Sequence, residues 1–134
     1  MQKHIFLFES DDILARSAAM ILSSMGYQVT LVDISYNPKI AELSALESIS
    51  EQEKPFDGAL VCDTVSGTHG HTDTLQIVEK LRDSGCPVII ANALSSANLT
   101  SMKKHGCTHD TGADNKYLLL KAITDHVPFP KTQE

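Results

Sequence analysis

The sequence predicts an α/β protein in which one parallel β-sheet is covered by helices on both faces. Short apolar runs alternate along the chain with longer segments whose apolar residues recur every three or four positions. The first pattern is typical of strands buried on both faces, and the second of amphipathic helices that pack on them. Each helix returns the chain to the start of the next strand, so this alternation predicts a parallel sheet with right-handed crossovers.

The central strand of this arrangement is the uncharged run at residues 58–62, GALVC, which is followed at once by Asp63. In open α/β sheets, ligands bind in the crevice outside the carboxyl ends of the strands. Asp63 is therefore a candidate functional residue. A carboxylate in this position can equally cap the next helix or face solvent, and the residue taken alone does not decide between these interpretations.

The other strands are predicted from similar apolar or β-branched runs on either side of this one. The five predicted strands are residues 5–8, 28–32, 59–62, 88–91 and a short, weak strand at 107–109. For a single domain of this length the natural strand order is 2-1-3-4-5, the doubly wound, flavodoxin-like arrangement in which strand 1 lies inside the sheet.

Five helices are predicted from apolar periodicity and from the residues at their ends. Gly26, Gly85 and Gly106 stand where the first, third and fourth helices should stop, as glycine often does after a helix. Residues 64–72 contain two glycines and are predicted to be a polar loop that precedes the third helix. The fifth helix closes the predicted domain at residues 1–126, and residues 127–134 are predicted to be a frayed tail.

Composition argues against several classes of function and location. The chain has 134 residues, enough for one domain, and its net charge of −6 argues against a nucleic-acid surface. No apolar run approaches a membrane span, and the first strand begins too early to leave room for a signal peptide. The three cysteines have no CxxC spacing, which favours buried free thiols in a reducing cytoplasm. We therefore expect a cytoplasmic domain without a membrane or nucleic-acid partner.

The predicted strand order brings acidic and polar residues together. Strands 1 and 3 are neighbours, so Glu9, Ser10 and Asp11 should converge with Asp63 in one crevice. Clustered carboxylates repel one another unless a cation, a proton or a lysine relieves them. Oxygen ligands favour Mg²⁺ or a similar hard cation, so the crevice is a candidate Mg²⁺ site.

Several motifs have the spacing of a known family. Glu9-Ser10 follows strand 1 where that family has an acidic pair, and Asp63 ends strand 3 where it has a phosphoryl-accepting aspartate. Residues 87–91, PVIIA, resemble its fourth strand, and residues 25–27 and 104–107 resemble its turns before strands 2 and 5. On these motifs the chain resembles a response-regulator receiver domain, of the CheY-like kind, along nearly its whole length.

The resemblance implies a signal-transduction role in a two-component phosphorelay. It places the candidate phosphoacceptor at Asp63 and Mg²⁺ ligands at Glu9, Ser10 or Asp11, Asp63 and the backbone of Val65. It also implies a histidine kinase or another phosphorelay protein as the phosphoryl donor. The domain itself is not expected to be an enzyme, because no catalytic triad, phosphate-binding glycine loop or paired nucleophile and base has the required spacing.

The chain departs from the family at four positions. Ser10 replaces the second acid, and Asn92 replaces the serine or threonine that follows strand 4. Ala113, or Gly112 in a shifted register, replaces the lysine, and His109 or Asp110 replaces the aromatic residue of strand 5. These departures predict a degenerate receiver. The alternative is a phosphorylation-independent pseudo-receiver that acts as a protein-protein interaction module.

Two further hypotheses concern surfaces. A homodimer or partner interface through helix 4, strand 5 and helix 5 has Leu99, Met102, Tyr117 and Lys121 as candidate contacts. A Zn²⁺ site at His69, His71 and Asp73 is the less favoured alternative to a solvated loop, because no second ligand pair with metal spacing exists.

Overall fold

The structure is a computed structural model that describes residues 2–9, 12–33, 38–62, 68–93, 95–112 and 115–128. Strands and helices alternate along these residues as the periodicity predicts. The strands are β1 (His4–Glu9), β2 (Gln28–Asp33), β3 (Gly58–Cys62), β4 (Ile89–Asn92) and β5 (His109–Thr111). The helices are α1 (Asp12–Ser24), α2 (Pro38–Glu51), α3 (Thr68–Ser84), α4 (Ser96–His105) and α5 (Lys116–His126). No helix in these ranges is long and apolar enough to cross a membrane.

The five strands form one sheet in the order β2-β1-β3-β4-β5. Every neighbouring pair is parallel. The predicted fold class, strand order and interior position of strand 1 are therefore confirmed. The order follows from right-handed crossovers that place α1 and α5 on one face of the sheet and the other three helices on the opposite face.

Alternate residues of each strand supply the two halves of the core, because successive side chains in a strand point to opposite faces. Phe6, Phe8, Val61 and Ala91 pack with buried residues of α2, α3 and α4. On the other face the buried cluster joins strand residues to α1 and α5, and its strand members are Ile5, Leu7, Leu60 and Ile90. All three cysteines are buried and free, as predicted.

The predictions for β5 and for the start of α3 are wrong by two residues or more, and the ends of the other four strands differ by at most one residue. Strand β5 begins at His109 rather than at residue 107, because its pairing with β4 starts where His109 meets Ile90. The amide of Cys107 instead bonds to the carbonyl of Met102 and completes the end of α4. Helix α3 begins at Thr68, so the polar loop predicted to run to residue 72 ends earlier. The first turn of α3 consists of polar residues and Gly70, so it has no apolar periodicity from which a helix could be predicted.

The end of α5 is anchored in the core. Val127 is buried, and its carbonyl accepts a 2.7 Å hydrogen bond from the hydroxyl of Tyr27. Gly58 of β3 lies directly beneath it: a Cβ added there would stand 2.3 Å from Cγ2 of Val127. Val127, the first residue of the predicted tail, thus packs with the domain. The division into residues 1–126 and 127–134 otherwise stays a prediction.

Candidate functional site

The candidate site lies at the carboxyl ends of β1, β3 and β4. Glu9 is the last residue of β1 and Asn92 the last of β4. Strand β3 runs between them, and its last residue, Cys62, pairs in register with Asn92. Phe8 pairs with Val61, so Glu9 lies at the level of Cys62. By strand alternation these three residues face the side of the sheet that α1 and α5 cover.

The side chains of Glu9 and Asn92 meet over the end of β3. The amide nitrogen Nδ2 of Asn92 donates to Oε2 of Glu9 at 3.4 Å. The two residues belong to strands separated by two inter-strand spacings, about 10 Å, so both side chains must reach across β3 to make this contact. The bond is longer than the usual 2.7–3.2 Å range, as expected for side chains that only just span the gap.

Both members of this pair are buried. Glu9 is 3% exposed and Asn92 4% exposed. Glutamate is rarely buried to this degree unless it has a partner, because a carboxylate removed from water loses its hydration. A buried acid and amide at the carboxyl end of a parallel sheet mark the crevice where such folds bind ligands. The same hydrogen bond also has a structural role, since it links β1 and β4, which are not adjacent in the sheet.

The structure describes only part of the predicted site. It brings Glu9 and Asn92 together. Asp63 follows Cys62 in the chain but lies outside the described residues, as do the predicted site residues Ser10, Asp11, Val65 and Ala113. The predicted roles of these residues therefore stay predictions.

The oxygen atoms of Glu9 and Asn92 are of the chemical type that binds hard cations. Glu9 offers carboxylate oxygens and Asn92 an amide oxygen, which are the ligand types that Mg²⁺ takes. Among the residues whose positions are described, no group of three or more His, Cys, Asp or Glu side chains comes close enough to hold a metal ion. A complete Mg²⁺ site would need ligands from residues 10, 11 and 63–67 in addition.

The Zn²⁺ hypothesis loses support from the backbone. Positions 69 and 71 belong to the first turns of α3. Residues two positions apart in a helix do not share a face, whereas helical metal pairs use positions three or four apart. The loop on which the hypothesis depended is therefore not the conformation of this segment.

At the fifth strand, His109, one of the two residues predicted to replace the family's aromatic, packs against α5. The rings of His109 and His126 stack with centroids 3.9 Å apart and an interplanar angle of 29°. Burial lowers the pKa of His109, and electrostatic interactions with His126 and Lys103 add to this effect, whereas Asp110 opposes it. Lys103 also forms a 3.1 Å ion pair with Asp110. The sequence located His109 but carried no signal for its partner.

The predicted contact face of α4, β5 and α5 needs one correction. Met102 is fully buried and belongs to the core, so it is not available to a partner. Leu99 is partly buried against the same core. Tyr117 is 72% exposed, and the side chain of Lys121 is also exposed. The prediction failed for Met102 because the helical pattern of α4 is weak and its polar residues outnumber the apolar ones.

Solved structures with this fold include receiver domains. A CheY-like receiver domain from Methanospirillum hungatei is 20% identical, with 93% of each chain covered and a TM-score of 0.65. The receiver domain of a sensor histidine kinase from Pseudomonas aeruginosa, with magnesium in its active-site cleft, is 17% identical over 94% of this chain and 98% of that chain, with a TM-score of 0.63. A Burkholderia pseudomallei response regulator with a phosphorylated aspartic acid and a calcium ion is 20% identical over 90% of this chain and 66% of that chain, with a TM-score of 0.61.

The sequence alone finds no such relatives. No family model matches the chain, and no curated protein matches it at a significant level. The structural likeness nevertheless covers at least 90% of the chain in each of these comparisons. The chain therefore has the fold of CheY-like response-regulator receiver domains, as its motifs predicted.

Proposed function

We propose that this chain is the receiver domain of a two-component phosphorelay, with Asp63 as phosphoacceptor in a degenerate site. The observation that carries the proposal is the buried Glu9 carboxylate at the carboxyl end of β1, held over the end of β3 immediately before Asp63. A receiver needs an acidic group there, beside the acceptor. The magnesium and phosphoaspartate in the structures from Pseudomonas aeruginosa and Burkholderia pseudomallei support the same type of site.

In this function Asp63 accepts a phosphoryl group from a phosphohistidine of a kinase or another phosphorelay protein. Glu9, Ser10 or Asp11, Asp63 and the backbone of Val65 are the proposed Mg²⁺ ligands. The ion, when bound, offsets the negative charge of the phosphoryl oxygens. Glu9 contributes a carboxylate whose position is set by β1, and the amide of Asn92 donates a hydrogen bond to it.

The degeneracy of the site predicts a weak response. Phosphoryl transfer is favoured when a positive or donating side chain meets the developing charge. Ser10 removes one acid and Ala113 removes the ammonium group, so phosphate at Asp63 would gain little from the surrounding side chains. A ligand shifts a conformational equilibrium only through its different affinity for the two states.

The alternative is an interaction module that does not depend on phosphate. It is favoured by the residues at the switch positions, which already have partners within the described structure. Asn92 bonds to Glu9, and His109 stacks on His126. Both contacts hold side chains that would need to move in a receiver switch. In this case the exposed part of α5, which includes Tyr117, stays in one state.

Incubation with acetyl phosphate and Mg²⁺, followed by intact-mass measurement, tests the proposal. The wild-type protein should gain the mass of one phosphoryl group, and Asp63→Asn should gain none. Glu9→Gln should reduce labelling through weaker Mg²⁺ binding. Asp83→Asn, which changes an exposed acid on α3, is the matched control and should label like the wild type. Labelling that survives Asp63→Asn, or its absence from the wild type, would contradict the proposed function.

A further inference from the structure

We infer that Asn92 is a positioning residue that holds Glu9 and thereby lowers the affinity of the crevice for Mg²⁺. This inference rests on the proposed function, because it concerns how the same site takes its cation. It starts from the 3.4 Å contact between Nδ2 of Asn92 and Oε2 of Glu9. The consequence is that a divalent ion and the Asn92 amide compete for one carboxylate oxygen.

The chemistry of the two groups sets the direction of the contact. An ionised carboxylate only accepts hydrogen bonds, so the amide nitrogen of Asn92 must be the group that faces it. The hydrogens on this nitrogen carry partial positive charge, and the contact directs one of them at Oε2. A cation that binds Oε2 must therefore share this oxygen with the amide. The ion must displace the amide or use fewer lone pairs of Glu9.

Burial makes this displacement costly. Both side chains are less than 5% exposed, so water cannot easily take over the hydrogen bond when it breaks. Hydrogen bonds to charged groups are also stronger than those between neutral groups. At 3.4 Å, however, this bond is long and therefore weak for a hydrogen bond to a charged group. It should attenuate cation binding and not abolish it.

The length of the side chain at position 92 decides whether this contact forms. Glu9 and Asn92 lie on strands separated by β3, about 10 Å apart between strand axes. Serine is one bond shorter than asparagine along the side chain, and it would leave its hydroxyl short of Glu9. Asn92→Ser should therefore remove this hydrogen bond from the carboxylate without adding a charge or enlarging the side chain.

The test is a Mg²⁺ titration by isothermal calorimetry, without any phosphoryl donor. Asn92→Ser should bind Mg²⁺ about fivefold to tenfold more tightly than the wild type, the factor expected for one weak hydrogen bond to a charged group. Glu9→Gln should weaken binding in either background. Asn98→Ser, the same change on α4, is the matched control and should leave the affinity unchanged.

A second measurement uses the wild-type protein alone, so it does not depend on how a variant folds. In NMR spectra the side-chain amide signals of Asn92 should shift as Mg²⁺ saturates the protein, since the ion displaces this amide from Glu9. Unmoved signals at saturation would overturn the inference, and so would equal Mg²⁺ affinities, or no binding, in the wild type and Asn92→Ser. Acetyl phosphate labelling is read separately: tighter Mg²⁺ binding without label contradicts only the proposed function, and label with equal affinities contradicts only the role of Asn92.

Discussion

Replacement of Gly58 by alanine tests how closely the end of α5 packs on the sheet. The added Cβ would stand 2.3 Å from Cγ2 of Val127, a separation that real Cβ atoms do not adopt. The backbone of Gly58 does not have a positive φ, so the clash is the whole of the unfavourable effect. Val127 must therefore move, although its carbonyl is bound to Tyr27 and its amide to Ile123.

The expected loss of stability follows from these contacts. Overpacking of a core usually costs about 1–3 kcal/mol. Complete displacement of Val127 would forfeit about 2 kcal/mol of side-chain burial and about 1 kcal/mol for the Tyr27 hydrogen bond, which sets a similar upper limit. Alanine also restricts the unfolded chain, which offsets about 0.5 kcal/mol. We expect Gly58→Ala to lower the free energy of unfolding by about 1–2.5 kcal/mol.

Urea denaturation of a double-mutant cycle with Val127→Ala measures this effect. Removal of the valine methyl groups opens the space, so Gly58→Ala should be nearly neutral in that background, with a coupling energy of about 1 kcal/mol or more. Gly112→Ala is the control, because its Cβ would meet nothing closer than the carbonyl oxygen of Ala93 at 3.8 Å. The reasoning is refuted if Gly58→Ala costs no more than Gly112→Ala, or if its cost adds simply to that of Val127→Ala.

Three further predictions use other parts of the chain. Burial lowers the pKa of His4 below its ordinary value of 6.5, against the opposing charge of Asp57. The unfolded chain has the higher pKa, so it takes up a proton on His4 more readily than the folded chain does. The contribution of neutral His4 to stability is therefore complete above the unfolded pKa, and it is lost as pH falls through the lowered pKa of the folded state. Urea midpoints at about pH 7.5 and about pH 5 should differ less in His4→Gln than in the wild type, and an equal difference would exclude this role. Tyr27→Phe removes the hydroxyl bound to Val127, and urea unfolding should show a loss of about 1 kcal/mol, whereas no loss would mean that the bond contributes nothing. Asp63→Asn should leave partner capture or dimerisation through α5 nearly unchanged in pull-down assays, whereas Tyr117→Ser should reduce it, and a large phosphate-dependent change abolished by Asp63→Asn would contradict the degenerate site.

The sequence by itself determined the class of fold, the strand order and the ends of three helices. This was possible because the relevant signals are local. An uncharged run such as residues 58–62 reports burial on both faces of a strand, and it is buried throughout. Gly26, Gly85 and Gly106 all adopt the positive φ expected at helix ends. Right-handed crossovers then leave few ways to order five parallel strands, and that order placed Glu9 and Asn92 at one edge of the sheet.

Only the tertiary structure decided which side chains meet. Nothing in the sequence near Glu9 indicates that Asn92, 83 residues later, reaches over β3 to bond with it. The stack of His109 on His126 and the burial of Met102 likewise could not be predicted from the local sequence. Periodicity tells which face of an element is apolar, but the partner of a polar side chain depends on strand spacing, register and side-chain length. These distances are set only when separate elements pack together.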